Sequence, residues 1–382
     1  MQIEICKQIA QIEPEQWNAL VQDNNPFLRH EFLSALETHG CVGEHFGWLP
    51  RHIAVYQEDE LVAAMPLYEK YNSYGEFVFD NAWAQAWQQH GLRYFPKLVS
   101  SIPYTPAIGQ RLLVKASLEA SHYPVLLSVL EEVAEQTSAS GTHILFPEAQ
   151  ELQWLEHQGA LIRHDCQFHW QNKGYSSFDE FLAQLSSRKR KNIMKERQSV
   201  AQAGVTLKRL DGYQATDNDW KKMAHFYQRT FDEKWGTATL NYDFFREVAR
   251  KMPEQVVLVL AERDGQCLAG ALMYRSASRL YGRFWGCDET VKGLHFEACY
   301  YQGIEYCIEQ GLEFFEPGAQ GEHKVARGFV PTLTRSAHFM RHEHFKQAIE
   351  QFVEHEKNNV LAYIEHINQH LPYKKINYTL KD

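Results

Sequence analysis

The feature that most constrains the fold is an order of secondary-structure elements that the sequence predicts twice. Each half reads as two helices, a strand hairpin, a strand, a helix, a strand, a helix and a strand. This order is typical of an α/β (α+β) fold in which helices flank a mixed, mostly antiparallel sheet. With 382 residues, the chain is long enough for two domains. We therefore predict tandem domains over 1–170 and 171–382, the second with a closing helix over 343–369.

The spacing of apolar residues predicts the individual elements. Short apolar segments predict strands that include 51–57, 61–68, 76–80, 255–263, 267–275 and 279–287. Helical spacing predicts 30–38, 119–137, one long helix over 177–203, 217–231 and 295–310. Pro96, Pro103 and Pro106 predict an irregular segment over 82–111, because proline excludes long regular elements.

A charged loop after a short apolar strand is the first candidate site. It contains two glycines that permit close approach of the backbone to a ligand, Gly318 and Gly321. Acidic, imidazole and cationic groups occur within twelve residues: Glu316, Glu322, His323, Lys324 and Arg327. Such a set can perform acid–base chemistry on a charged substrate. The alternative is a solvated loop between two strands. A second alternating segment follows, with Ser336, His338 and Met340.

A dense basic segment lies over 186–197. Its cations are Arg188, Lys189, Arg190, Lys191, Lys195 and Arg197. Helical spacing places Arg188, Lys191 and Lys195 on one face. Such a patch attracts phosphate-bearing partners even on an acidic protein. The alternative is a solvated or ion-paired helix face.

Two neighbouring segments add candidates for substrate binding. In the strand over 280–287, Arg283 and Trp285 lie between two glycines, a pattern that often marks a bulge. A bulge could present backbone N–H groups to an oxyanion, although the aromatic residues equally fit an ordinary core. The following helix begins with His295, and helix N-termini favour anions.

Two further segments leave a functional and a structural interpretation open. Residues 230–236 end a helix with charged residues beside Trp235, which fits either a lid over substrate or a polar helix terminus. In the proline-rich connection, Lys97 and Arg111 are candidate cations for substrate, with structural roles as the alternative.

Bulk properties exclude several classes of protein. The formal net charge is −9, so we expect no nonspecific DNA binding. Seven scattered cysteines without a CxxC pair indicate reduced thiols. The sequence shows no signal peptide and no apolar run long enough for a membrane span. We expect a cytoplasmic protein, and peripheral contact with the inner membrane stays open.

Common cofactor and nucleophile motifs are absent from the sequence. It contains no GxGxxG, P-loop, GxSxG or HExxH pattern. The spacing of His338, His342 and His344 does not require zinc, so we predict no metal site.

Several of these segments together resemble the FemAB-like proteins of Gram-negative bacteria, peptidoglycan biosynthesis/recognition proteins of the GNAT superfamily. In the second half they read RKRKNIMKER, TFDEKWG, ALMYRSASRLYGRFWG, LHFEACYYQGIEYCIEQGL and FEPGAQGEHKVARGFVPTLTRSAH. In the first half they read NPFLRHEFLSALE, YGEFVFDNAWA and YFPKLVSSIPYTPAIGQRLL. The resemblance covers nearly the whole chain. It implies tandem GNAT-like domains and, by analogy with the distant Fem transferases, transfer of an aminoacyl group from aminoacyl-tRNA to an amine of a cell-wall precursor.

One departure from the GNAT pattern bears on the donor. Many GNAT enzymes bind CoA through a glycine-rich turn between strand and helix, and the segment 287–298 lacks those glycines. Acyl-CoA therefore becomes less favoured as donor than aminoacyl-tRNA or another activated ester, without being excluded. No cofactor is required.

The hypothesis that follows is an acyltransferase that makes an amide from an activated ester and an amine. Glu316, Glu322 or His323 would accept the proton of the amine. Lys324, Arg327 and Arg283 would bind phosphate or carboxylate groups, and the basic helix would contact donor RNA or a phosphorylated acceptor. The alternatives are acetyl-CoA-dependent N-acetylation and a noncatalytic module that binds cell-wall fragments or glycan precursors.

Overall fold

The computed structural model of the chain describes residues 1–233, 236–319 and 321–374. The strands are β1 (Gln2–Cys6), β2 (Trp48–Pro50), β3 (His52–Gln57), β4 (Glu60–Met65), β5 (Tyr68–Lys70), β6 (Lys97–Ser100), β7 (Leu113–Val114), β8 (Gly141–Leu145), β9 (Leu161–Gln171), β10 (Thr206–Leu210), β11 (Val256–Arg263), β12 (Gln266–Arg275), β13 (Arg279–Cys287), β14 (Phe314–Glu316) and β15 (Val330–Met340).

The helices are α1 (Pro14–Asn18), α2 (His30–Thr38), α3 (Asn81–Gln89), α4 (Glu119–Gln136), α5 (Ala149–His157), α6 (Phe178–Gln184), α7 (Ser187–Gln202), α8 (Asp217–Glu233), α9 (Tyr242–Lys251), α10 (Leu294–Phe296), α11 (Gln302–Gln310) and α12 (Glu343–Asn368). A π-helical turn, Glu297–Tyr301, joins α10 to α11. Short 3₁₀ turns include Ile9–Gln11, Gln22–Asn24, Glu44–Phe46, Ala116–Leu118, Pro253–Gln255 and Glu322–Arg327.

The chain forms two compact units, and each unit combines three separate stretches of the sequence. Unit 1 contains residues 1–165, 237–253 and 333–361, and unit 2 contains 166–236, 254–332 and the chain from 362 onward. Two segments beyond residue 170 thus belong to the first unit. The predicted domain boundary near 170 stays a prediction, although β9 does pass from one unit to the other at residue 165.

Unit 1 contains two groups of strands. The first is an antiparallel sheet in the order β1-β3-β4-β7. The second runs β15-β8-β6-β5-β2, and only its β6–β8 pair is parallel. Helix α4 packs on β3 and β4. The core between them includes Ile53, Val55, Leu126 and Leu130, each nearly inaccessible to solvent. Burial of these branched side chains is the main stabilising term for this unit.

Unit 2 contains the strand order β10-β11-β12-β13-β14, with the second half of β9 beyond β14. Its strands pair antiparallel except for β13 and β14. Its core combines Trp170, Phe181, Leu280, Tyr301 and Phe315. The mixed sheets flanked by helices confirm the predicted fold class, and α12 begins at the predicted residue and ends one residue early.

Three local predictions were wrong. No strand forms over 76–80, and the supposedly irregular segment contains α3 and β6. In α3, Trp83 and Trp87 are spaced by one turn and buried, and Trp87 stacks on Phe345 of α12 with ring centroids 3.8 Å apart. The predicted helix over 177–203 is broken at Leu185, whose backbone is extended and forms a bridge with Tyr373. Contacts between residues distant in sequence accompany both α3 and the break at Leu185.

None of the helices in the described part of the chain combines the length and the apolarity that crossing a membrane requires.

Candidate active site

The candidate site in unit 2 lies where two parallel strands separate. Strands β13 and β14 pair over three positions, the last being Tyr281 with Glu316. Beyond that point β13 continues along β12, whereas the segment that follows β14 turns away at Pro317. A Cβ atom on Gly282 would lie 3.1 Å from the Pro317 Cα atom, so glycine permits the close approach at the point of separation.

The predicted bulge is present in β13. Met273 of β12 is opposite Gly282, whereas the preceding Leu272 is opposite Phe284, so Arg283 is the extra residue. A cavity of about 160 Å³ opens beside it. Its lining includes Arg283, Trp285, His295, Cys299, Tyr300 and Pro317. The structure therefore places three of the predicted substrate-binding residues around one cavity.

Arg283 supplies a positive charge to this cavity. Burial lowers the pKa of its guanidinium to about 10, so the group stays protonated at neutral pH. Trp285 and His295 form the adjacent wall, with their rings in an edge contact at 5.3 Å. A cation in the lining of a cavity attracts an anionic or developing oxyanionic group more strongly than it would in bulk water.

The π-helical turn directs a tyrosine into the cavity. Tyr300 lies in this turn and its hydroxyl is 2.9 Å from His323 Nε2. Burial, with lesser contributions from Lys324 and Arg327, lowers the pKa of His323. The imidazole is therefore neutral at pH 7 and can accept a proton. Tyr300 and His323 together form a proton path from the cavity to the exposed loop.

Lys324 and Arg327 hold the loop that carries His323. Lys324 Nζ donates to the Gly318 carbonyl at 2.7 Å, and burial lowers the pKa of this lysine to about 8. Arg327 donates to the His323 carbonyl at 2.7 Å and forms an ion pair with Glu196 at 2.7 Å. Neither residue is part of the cavity lining, so the contacts seen here are structural.

The two predicted carboxylates have separate environments. Glu316 is buried and pairs with Arg279 at 3.0 Å, with His169 Nε2 at 4.0 Å. Glu322 is exposed and accepts a hydrogen bond from Tyr363 at 2.6 Å. Of the three predicted acid–base residues, His323 forms a hydrogen bond with Tyr300 of the cavity lining.

The predicted basic face exists on α7. Arg188, Lys191 and Lys195 are exposed, whereas Lys189 and Arg190 are partly covered. Arg197 differs, because it pairs with Glu297 at 3.0 Å and with Glu305 at 2.7 Å. This arginine fastens α7 to the helix that carries Tyr300.

The two predicted cations of the first half lie in unit 1 and do not line this cavity. Lys97 is fully buried and pairs with Glu76 at 2.7 Å and with Asp80. Arg111 is 1% exposed and donates to four backbone carbonyls, those of Ala107, Gly109, Gln110 and Leu145. We assign both a structural role in place of the expected contact with substrate. Of the predicted lid over 230–236, Lys234 and Trp235 lie outside the described residues, whereas α8 extends to Glu233.

Sequence reasoning missed Tyr300 and Cys299. Both occur in a helix whose apolar spacing predicts core packing, and the π-helical turn that rotates them toward the cavity has no such signature. π-Helical turns occur frequently at functional sites. Over the described ranges 1–233, 236–319 and 321–374, no group of histidine, cysteine and carboxylate side chains is arranged to hold a metal ion.

Comparisons with known proteins identify relatives of the whole chain. The FemAB-like family model, described as peptidoglycan biosynthesis/recognition, matches residues 8–375. Among proteins of curated function, no sequence matches the chain.

Solved structures with a similar fold include FemX, at 14% identity and a TM-score of 0.54, with 92% of this chain and 100% of that chain covered. L-PGS from Bacillus licheniformis has 12% identity and a TM-score of 0.54, with 92% and 99% covered. The C-terminal domain of a putative lysylphosphatidylglycerol synthetase from Agrobacterium fabrum has 10% identity and a TM-score of 0.53, with 90% and 96% covered. At these identities the likeness is one of fold: the chain shares the fold of FemX and L-PGS over nearly its whole length.

Proposed function

Because the chain belongs to the FemAB-like family of peptidoglycan biosynthesis/recognition proteins, we propose that it is an acyltransferase acting on a cell-wall precursor. It moves an aminoacyl or acyl group from an activated ester to an amine. The reaction takes place in the cavity at the separation of β13 and β14. The observation that carries this proposal is the hydrogen bond between Tyr300 of the cavity lining and His323 of the loop.

The proton path determines the roles of these two residues. The amine attacks the carbonyl carbon of the ester, and the new N–C bond leaves a positive charge on nitrogen. Tyr300 takes a proton from this nitrogen while its own hydroxyl proton passes to His323 Nε2. Burial raises the pKa of Tyr300, which keeps it protonated as a relay between turnovers. The C–O bond then breaks, and the leaving alkoxide takes the proton back from His323 through Tyr300, which restores both residues.

Arg283 stabilises the oxygen that becomes negative in the tetrahedral intermediate. It is fixed in the β13 bulge and its charge persists at neutral pH. Loss of one such donor typically lowers the rate by about 10²–10³-fold. Trp285 and His295 exclude water from the same side of the cavity.

Aminoacyl-tRNA is our proposed donor. The exposed cations of α7 are a surface for RNA phosphates, and this helix is anchored to the site through Arg197 and Glu297. The turn before α10 supports the same choice, because the Leu294 amide already donates to the Val291 carbonyl at 3.1 Å. An amide so occupied is not available for a CoA pyrophosphate.

A transfer assay with a cell-wall precursor as acceptor tests the proposal. Purified protein is given aminoacyl-tRNA in one reaction and acetyl-CoA in another, and the amide product is detected by mass spectrometry. We expect product with aminoacyl-tRNA, and a loss of about 10²–10⁴-fold in His323→Gln and Tyr300→Phe.

His225→Gln is the matched control, since His225 is also in unit 2 but is exposed and pairs with Asp288. Product with acetyl-CoA alone would overturn the donor assignment. Full activity in both relay variants would overturn the site. Binding of precursor without any product would favour the noncatalytic module.

A further inference from the structure

A second cavity lies wholly within unit 1 and is not used by the proposed transfer reaction. Its volume is about 180 Å³, and its lining includes Phe79, Phe146, Arg163, Thr334, Ser336 and Glu356. A cavity of this size accommodates a group slightly larger than benzene. Its lining combines apolar rings with hydroxyl groups and one ion pair, Arg163 with Glu356 at 2.8 Å.

A line of three side chains leads from this cavity into the core. Ser336 Oγ is 2.8 Å from His338 Nε2, and His338 Nδ1 is 2.6 Å from His143 Nδ1. Ser336 and His338 occupy alternate positions of β15 and therefore share a face. His143 is directly opposite His338 in the antiparallel pair of β8 and β15. Strand register alone thus fixes the line.

The order of atoms in this line is that of a nucleophile, a base and a positioning group. Between two Nδ1 atoms at 2.6 Å, one ring donates and the other accepts. When His338 donates, its Nε2 carries a lone pair that faces the Ser336 hydroxyl. An edge contact with Trp83, at 5.0 Å between ring centroids, holds the His338 ring. Burial lowers the pKa of both histidines, so neutral imidazole is present at pH 7.

Charged groups lie behind the second histidine. Asp80 and Lys97 form a buried ion pair, and both act on His143: the aspartate raises its pKa and the lysine lowers it. Buried charges of this kind cost stability unless they are fully paired. Their presence next to the histidine pair fits an electrostatically arranged interior better than an ordinary apolar core.

Thr334 supplies a hydroxyl for a ligand. It lies two residues before Ser336 on the same face of β15, lines the cavity and is 1% exposed. Its Oγ1 atom has no hydrogen-bond partner within the described residues. A buried hydroxyl without a partner costs about 1–3 kcal/mol, and a ligand oxygen would satisfy it.

We propose that Ser336 is the nucleophile of a second centre that cleaves small acyl esters, with His338 as general base and His143 as positioning residue. Thr334 donates a hydrogen bond to the carbonyl oxygen of the ester. This centre is separate from the proposed transfer reaction and does not depend on it.

The proposed step balances in atoms and charge. A bond forms between Ser336 Oγ and the carbonyl carbon while the hydroxyl proton moves to His338 Nε2. The ester C–O bond then breaks, the alcohol leaves with that proton, and the acyl group stays on Ser336. Water or an amine attacks the acyl-serine in the second half, again with His338 as base.

A small dialkyl fluorophosphonate tests the centre in the full-length protein. The Ser336 oxygen would displace fluoride from phosphorus, and peptide mass spectrometry would locate the adduct. We expect one adduct per chain, on Ser336, and none on Ser121. That serine also contacts a histidine, His122 at 2.8 Å, but it is exposed. Absence of an adduct on Ser336 in the folded protein overturns the proposal without any variant.

Variants separate the roles within the line. Thr334→Val and His338→Gln should each slow labelling, the latter by about 10²-fold or more. His143→Gln keeps an acceptor for the His338 Nδ1 proton and should retain most of the labelling rate. His143→Leu should lose it in protein that remains folded at the assay temperature. Equal rates in these two variants would contradict the positioning role, and unchanged labelling in His338→Gln would contradict the general base.

Discussion

The two cavities differ in how their polar groups are held. In unit 2 the cavity forms at a bulge and a strand separation, and its polar groups come from a partly exposed strand, a π-helical turn and a loop. In unit 1 the corresponding groups lie on two central strands and are fully buried. Strand positions fix side chains more rigidly than loops do.

The comparison teaches that stability and chemistry are linked differently in the two units. The polar interior of unit 1 includes charges that only their partners stabilise, so changing one of them should lower the stability of the unit strongly. The site of unit 2 can change its polar groups at small cost in stability, because solvent or the loop can compensate. The predictions below test this difference, beginning with the largest effect.

Lys97→Met should produce the largest loss of stability. The change removes the cation that pairs with Asp80 and, at 2.7 Å, with Glu76. Breaking a buried ion pair on one side costs about 3–5 kcal/mol. Denaturant unfolding followed by fluorescence measures the change. The matched control is Lys195→Met on the exposed face of α7, where we expect about 0.5 kcal/mol or less. Equal losses in the two variants would remove the distinction between the units.

The fold was largely predictable because local spacing carries most of it. Strands β11 to β13 and helix α2 follow the predicted bounds closely, since the strands are short apolar segments and the helix has a clear apolar face. Helix α3 was not predictable. Its tryptophans acquire a buried environment from α12, more than 250 residues later, and no local pattern contains that partner.

The candidate site was predictable only in part. Glycines and charges in the 316–327 loop drew attention to His323, which contacts Tyr300, and the glycines around Arg283 indicated the bulge. Tyr300 was hidden in an apolar helix. Ser336 and His338 were visible as an alternating pair, but their meaning depends on His143, which is 195 residues away in sequence. A site built from residues on paired strands depends on the register of the pair, and local sequence patterns do not show that register.

Lys70, a second buried lysine of unit 1, should make the free energy of unfolding depend on pH. Burial lowers the pKa of Lys70 to about 7 from its ordinary value of 10.5. Between these values the unfolded chain binds a proton that the folded chain has released, so the contribution of this group to stability rises with pH. Comparing wild type with Lys70→Met by denaturant unfolding, we expect the wild type to gain about 2–3 kcal/mol relative to the variant from pH 8 to pH 10. A constant difference across this range would show that Lys70 stays protonated.

Gly282→Ala should disturb the unit 2 cavity with a smaller loss of stability. The added Cβ atom would meet the Pro317 backbone at 3.1 Å, so the two strands must move apart at the point where they separate. Overpacking of this mild kind costs about 1 kcal/mol. We expect transfer to fall by more than tenfold, because Arg283 and Tyr300 then face a wider gap. The assay and the unfolding curve are measured on the same preparation. A large loss of stability with normal transfer would place the reaction elsewhere.

Glu322→Gln should have the smallest effect, and it decides between the carboxylate and the imidazole of the same loop. Glu322 is exposed, and a glutamine oxygen can still accept the hydrogen bond that Tyr363 donates at 2.6 Å. We therefore expect stability within about 0.5 kcal/mol of wild type and transfer within about threefold. If Glu322 accepts the amine proton, removal of its basic oxygen lowers transfer by about 10²-fold or more while the fold is retained. That result would move the proton acceptor from the Tyr300–His323 pair to the outer face of the loop, and the cavity would then bind substrate without supplying the base.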